Sequence, residues 1–167
     1  RSELESGPKC FRFSKDGRFF YLLHELKNTI DVYTYETGDR QPKIEKIQSI
    51  STTGDNPISQ LTAACAMRFS TDERHMFCGN AGDNTVTVYN RDPETGLLET
   101  VCSLPISGSY PKDICVFPDD KHIACVNNES GSITFFTVNY EKGLLIMNGK
   151  EIKVNEPNSC VIVKVHD

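Results

Sequence analysis

A short signature recurs three times along the chain and limits what it can fold into more than any other feature. Phe13-Ser14-Lys15-Asp16-Gly17 returns as Phe69-Ser70-Thr71-Asp72-Glu73 and again as Phe117-Pro118-Asp119-Asp120-Lys121, intervals of 56 and 48 counted on the phenylalanines. A second punctuation follows each one: Lys27-Asn28-Thr29-Ile30, Asp83-Asn84-Thr85-Val86 and Ser130-Gly131-Ser132-Ile133. A third follows in turn, at Glu36-Thr37-Gly38, Glu94-Thr95-Gly96 and Glu141-Lys142-Gly143. Three markers in fixed order at a period of about 50 residues point to a propeller or a solenoid.

The residues between the markers choose between these. Phe11-Arg12-Phe13, Phe19-Phe20-Tyr21-Leu22-Leu23 and Ile30-Asp31-Val32-Tyr33 are short, β-branched or aromatic, and bounded by turn residues, and the second and third units repeat the pattern. A weaker outer strand follows each, over 44–50, 97–104 and 144–154. No segment sustains the 3.6-residue apolar spacing of a helix, so a helical solenoid is excluded. The fold class is all-β: a β-propeller with three four-stranded blades over 9–56, 63–105 and 110–154. Residues 160–165 add one further inner strand that completes another blade. Propellers close with about four to eight blades, so the expectation is the C-terminal half of a longer protein. Closure then needs an N-terminal half or, alternatively, a second chain.

Composition narrows the partners. The net charge of −5 argues against nucleic acid, whose binders present a basic face. No apolar run is long enough to cross a bilayer as a helix, and no basic-then-apolar leader opens the sequence. The seven cysteines (Cys10, Cys65, Cys78, Cys102, Cys115, Cys125, Cys160) show no C-x-x-C spacing, and most sit in apolar stretches. They read as reduced structural thiols, which favours a cytoplasmic location. No metal-ligand spacing and no phosphate-loop or dinucleotide fingerprint appears, so no metal and no cofactor is expected.

Gly7-Pro8-Lys9-Cys10-Phe11-Arg12-Phe13-Ser14-Lys15-Asp16-Gly17 resembles the G-P-R-H-F-x-F-S-P-D-G segment of the seven-bladed lactonase family, which takes in cycloisomerase-type 6-phosphogluconolactonases and carboxymuconate-lactonizing enzymes. Tyr21-Leu22-Leu23-His24-Glu25-Leu26 resembles its Y-V-x-N-E-L stretch, and Pro157-Asn158-Ser159-Cys160-Val161 its closing P-S-C-V strand. The resemblance implies a lactone hydrolase whose site combines a histidine, two arginines and a glutamate. The glutamate matches Glu25, while the arginine positions hold Lys9 and Lys112. The motif histidine has become Cys10, His24 stands where the family has Asn, and the S-N-R-G stretch reads Gly79-Asn80-Ala81-Gly82. Lysine keeps the charge but loses the bidentate fork.

Strand order adds an argument of its own. In an antiparallel meander, the start of the inner strand and the end of the second strand share one end of the blade. Lys9 and Lys112 open inner strands while Glu25 and Asn80 close second strands, so all four are expected at one mouth of the channel, with His24 beside them. Glu25 is the candidate catalytic base; Lys9, Lys112, Asn80 and His24 are candidate substrate contacts for an anionic sugar lactone or sugar phosphate. Cys10, between Lys9 and Arg12, is either a thiol of lowered pKa or a space-filling replacement. His75 and His122 are expected to face solvent, and Asp16, Asp72 and Asp120 to support hairpin turns. The alternative function is a catalytically degenerate propeller that binds a ligand or protein, which the changes at the arginine and histidine positions favour.

Overall fold

Alternation of apolar and polar residues over six to nine positions, broken by Asp, Asn and Gly, makes these segments strands. The structure, a computed structural model, describes residues 4–56, 62–163 and 165. Blade one is an antiparallel meander of β1 (Pro8–Phe13), β2 (Phe19–His24), β3 (Thr29–Glu36) and β4 (Lys43–Ser51). Blade two repeats it with β5 (Ala63–Phe69), β6 (His75–Ala81), β7 (Thr85–Arg91) and β8 (Leu98–Pro105). Blade three has β9 (Pro111–Val116), β10 (His122–Asn127), β11 (Ser132–Asn139) and an outer edge in two pieces, β12 (Leu144–Met147) and β13 (Ile152–Lys153), both paired with β11. The single outer strand expected over 144–154 is thus interrupted at Asn148-Gly149, where Gly149 takes a φ of +70° that ends the ladder.

Side chains of alternate parity fill the seams between blades. Phe19, Tyr21, Leu23, Ile30 and Val32 of blade one pack on Met67, Met76, Cys78 and Tyr89 of blade two. Phe77, Val86 and Val88 of blade two pack on Ile114, Ile123, Cys125 and Phe136 of blade three. The opposite face of blade one carries an aromatic cluster: Phe20 stacks on Tyr33 at 4.6 Å, and Phe13 meets Phe11, Phe20 and Tyr35. Among the described residues no helix is long and apolar enough to cross a membrane.

Two expectations are corrected by the register. Phe117 is not the counterpart of Phe13 and Phe69. Its N–H donates to the His122 carbonyl just as Ser14 donates to Phe19 and Ser70 to His75. Phe117 therefore takes the serine position, and the third turn is shifted by one residue. The turn aspartate is Asp119, which accepts from the N–H groups of Lys121 and His122, while Asp120 takes the left-handed position at φ 56°. The further inner strand expected over 160–165 forms no ladder across its described residues; Lys164 lies outside them. Its start is nonetheless held beside β9: the Cys160 N–H donates to Asp113 Oδ2 at 3.2 Å, and Asn128 Nδ2 donates to the Pro157 carbonyl. Neighbouring inner strands meet through side chains and not through a ladder, so this segment finds no strand to pair with.

Candidate functional site

The inner strands share an irregularity at one place. Pro8 pairs with His24 but Cys10 with Leu23; Ala64 pairs with Asn80 but Ala66 with Gly79; Pro111 pairs with Asn127 but Asp113 with Val126. Lys9, Cys65 and Lys112 are thus the extra residues of three equivalent β-bulges, devices that re-aim a side chain. Lys9 Nζ donates to Glu25 Oε1 at 2.6 Å, both side chains being about one-third exposed, 35% and 36%. Glu25 follows the last residue of β2, and its backbone ties the blades: its N–H donates to Gly7 and its carbonyl accepts from Ala64.

In blade two the bulge residue is buried. Cys65 Sγ donates to the Pro111 carbonyl at 2.6 Å, and burial pushes its thiol up to about 12. Ala81 occupies the position of Glu25 there. In blade three the Lys112 ammonium lies 4.7 Å from the centre of the Tyr110 ring. Tyr110 holds φ at 60° and donates its N–H to Asn84 Oδ1 at 2.7 Å. Lys9, Glu25 and Lys112 are therefore partly accessible at bulge and strand-end positions on one end of the blades.

His24 and Asn80 are not brought to the mouth. Both hold the same register position near the end of their second strands, and both are buried. Asn80 Nδ2 donates to the Thr52 carbonyl of blade one at 2.7 Å and to Thr85 and Thr87. Asn127 repeats this in blade three, donating to Thr134, which donates in turn to the Ile106 carbonyl of blade two. His24 Nε2 lies 3.1 Å from Asp31 Oδ2, and Asp31 also accepts from Ser49, Lys46 and Tyr33. Asn80 points into the seam with blade one, whereas His24 shares the face of Phe20 and Tyr33, opposite blade two, and is buried beside Asp31 of its own blade.

Behind the bulges the channel wall carries a charged pair that the sequence reading did not select. Arg68 Nη2 reaches Asp113 Oδ1 at 2.6 Å and Oδ2 at 2.8 Å, joining blade two to blade three. The signal available in the sequence was the recurrence of Arg12 as Arg68 one repeat later. Cys10 faces the same wall, and burial raises its pKa against the pull of Arg12, Arg68 and Lys9. The reading as a thiol of lowered pKa is thereby overturned. His75 is not solvent-facing: its ring stacks on Tyr140 at 3.7 Å and burial lowers its pKa. His122 is half-exposed and meets Asp119 at 2.6 Å. Among the described residues no group of three or more His, Cys, Asp or Glu side chains is placed to hold a metal.

The family model described as lactonase, 7-bladed β-propeller, matches residues 1–163. An uncharacterized protein of Staphylococcus epidermidis is 27% identical over 158 residues, 94% of this chain and 44% of its own length. Protein YwcC of Lactococcus lactis, also uncharacterized, is 26% identical over 162 residues, 97% of this chain and 46% of its own. The chain thus spans less than half the length of these relatives. Among solved structures, the periplasmic gluconolactonase PpgL of Pseudomonas aeruginosa superposes with a TM-score of 0.84 at 24% identity, over 94% of this chain and 42% of that one. A candidate 6-phosphogluconolactonase of Bacteroides fragilis gives 0.80 at 25% identity, over 93% and 41%.

Proposed function

The chain belongs to the seven-bladed β-propeller lactonase family, and from that premise we propose that the protein hydrolyses an anionic sugar lactone, 6-phosphoglucono-δ-lactone before others. The observation that carries this reading is the Lys9–Glu25 contact of 2.6 Å at an accessible mouth, with Lys112 on the same end of the blades. A carboxylate held beside an ammonium can take a proton from water while the cation meets the charge that develops on the lactone carbonyl.

In this mechanism Glu25 accepts the proton of the attacking water, and Lys9 passes from the carboxylate to the oxyanion. The bond from the carbonyl carbon to the ring oxygen breaks, the ring oxygen takes the proton that Glu25 accepted, and the hydroxy acid leaves with the carboxylate regenerated. The test is lactone opening by the intact protein with and without Glu25→Gln, followed by pH-stat titration. Loss of general base catalysis lowers kcat by about 10²- to 10⁴-fold. An unchanged rate in that variant rejects the role of Glu25. A ligand-binding scaffold without turnover is the second reading, favoured by Cys65 and Ala81 at the mouth positions of blade two. It expects binding of a sugar phosphate with no acceleration of ring opening.

A further inference from the structure

Arg12 and Arg68 stand at one position in two successive blades: Arg12 pairs with Tyr21 and Arg68 with Phe77, each two residues beyond the position that follows the bulge. They hold the same pose. Arg12 Nη1 donates to the carbonyl of Phe11 at 3.0 Å, and Arg68 Nη1 to that of Met67 at 3.2 Å. Their other edges differ. Arg68 Nη2 is taken up by Asp113, the residue after the bulge on the next inner strand. The residue after the bulge on the strand facing Arg12 is Ala66, a methyl group. Among the described residues no carboxylate lies within ion-pair distance of Arg12. It is the same arginine without its acid.

The surroundings sharpen the contrast. Lys9, Arg12 and Arg68 all act electrostatically on the Cys10 thiol, so three cations converge on this stretch of wall. Glu25 answers Lys9 and Asp113 answers Arg68, which leaves Arg12 as the uncompensated charge of that group in a protein of net charge −5. A guanidinium with a free edge between low-dielectric walls is built to take two oxygens of one anion. Three residues of strand, roughly 10 Å, separate it from Lys9 and the reacting end.

We propose that Arg12 is the specificity-determining anchor of the channel and takes the phosphate monoester of the ligand where Asp113 sits against Arg68. This deepens the lactonase reading by naming the residue that selects a phosphorylated substrate. It rests on that reading only in treating the channel as a ligand site.

Calorimetry on the intact protein, with 6-phosphogluconate as probe, inorganic phosphate as competitor and gluconate as the control without phosphate, tests it. Wild type binds 6-phosphogluconate and phosphate competes. Arg12→Gln weakens that binding by about 10- to 100-fold, the loss expected for charge-assisted hydrogen bonds, and leaves gluconate unchanged. Arg12→Lys falls between, because a point charge replaces the fork. Ala66→Asp gives Arg12 the acid that Arg68 already has and abolishes phosphate competition. Since Ala66 is buried, circular dichroism checks that variant, and Arg12→Gln decides the matter if it fails to fold. Wild-type affinity in Arg12→Gln, or no binding of 6-phosphogluconate by the wild type, overturns the proposal. Glu25→Gln separates the two readings: lost turnover with retained 6-phosphogluconate binding supports both, and an unchanged rate removes the base while Arg12 stands.

Discussion

Blades one and two share a backbone plan and part company at the positions where chemistry can happen. The bulge holds Lys9 in one and Cys65 in the other; the residue that follows His24 or its equivalent Asn80 is Glu25 or Ala81. The position of His24, which meets an aspartate on the face of blade one opposite blade two, holds in blade two an asparagine against a threonine in the seam with blade one. Arg12 lacks the acid that Arg68 has. Blade two lies between two packed seams and its polar groups are spent on joining neighbours. Blade one keeps charged side chains at the mouth and an aromatic face turned away from blade two. The repeat supplies positions; departures from the repeat supply reactivity.

The largest effect expected from this contrast is on stability. Phe77 is fully buried in the seam between blades two and three, whereas Phe11 on the far face of blade one is 56% exposed. Phe77→Ala removes a packed ring and leaves a cavity, costing about 3–5 kcal/mol. Phe11→Ala in this chain costs less than about 1 kcal/mol, because little of its surface leaves water on folding. Urea titration of both variants measures the difference. Equal losses would mean that the aromatic face of blade one is covered as fully as the seams are.

The His24–Asp31 position gives a smaller and pH-dependent effect. Burial pushes the Asp31 carboxyl up, but hydrogen bonds from Ser49 and Lys46 and the Lys46 charge outweigh it and hold the group below the usual range. A carboxyl whose folded pKa is depressed adds stability above its unfolded pKa, near 3.9. That stability is lost as pH falls through the folded value. Asp31→Thr strips His24, Lys46 and Ser49 of their acceptor and costs about 2–4 kcal/mol at neutral pH. Adding His24→Asn rebuilds the Asn–Thr pair of blade two and recovers about 1–2 kcal/mol, the coupling of contacting residues. The double variant also loses less stability than wild type as pH falls below about 4. A double variant no more stable than Asp31→Thr alone would show that the two positions are not interchangeable.

The same positions show what a sequence can and cannot disclose. Strand order and blade count follow from local turn chemistry and alternation, so Asn28, Asn84 and Gly131 marked their turns correctly. The third turn misled because Phe117 mimics the phenylalanine of the signature while its hydrogen bond places it one step later. The bulges at Lys9, Cys65 and Lys112 leave no mark in composition, since an extra residue shows only once its partner strand is counted against it. His24 and Asn80 were placed at the mouth by strand order alone; which side of a strand faces a neighbouring blade is settled by packing. The recurrence of Arg12 as Arg68 was legible, whereas the presence of Asp113 opposite one and Ala66 opposite the other needs the arrangement of blades.

The smallest expected effect concerns the first turns, where blades are clasped. Gly17, Glu73 and Asp120 share a left-handed position, with φ of 72°, 57° and 56°. The Glu73 carboxylate accepts the Lys15 N–H at 2.9 Å and 3.1 Å, and Asp120 accepts from the N–H groups of Thr71 and Asp72. Each acid thus bears backbone strain in order to cap the turn of the preceding blade, and Gly17 avoids the strain and makes no such cap. Glu73→Ala keeps the strain and loses the cap, costing about 1–2 kcal/mol. Glu73→Gly loses the cap but relieves a left-handed conformation worth about 1–2 kcal/mol, less the entropy that glycine forfeits on folding. The two variants should differ by about 1 kcal/mol, with glycine the more stable, read as a shift in urea midpoint at constant slope. The Glu73→Ala loss shrinks in high salt because this clasp is partly exposed. Should alanine and glycine prove equally destabilising, the left-handed turn carries no strain. Blade two would then differ from blade one at this position only by its carboxylate.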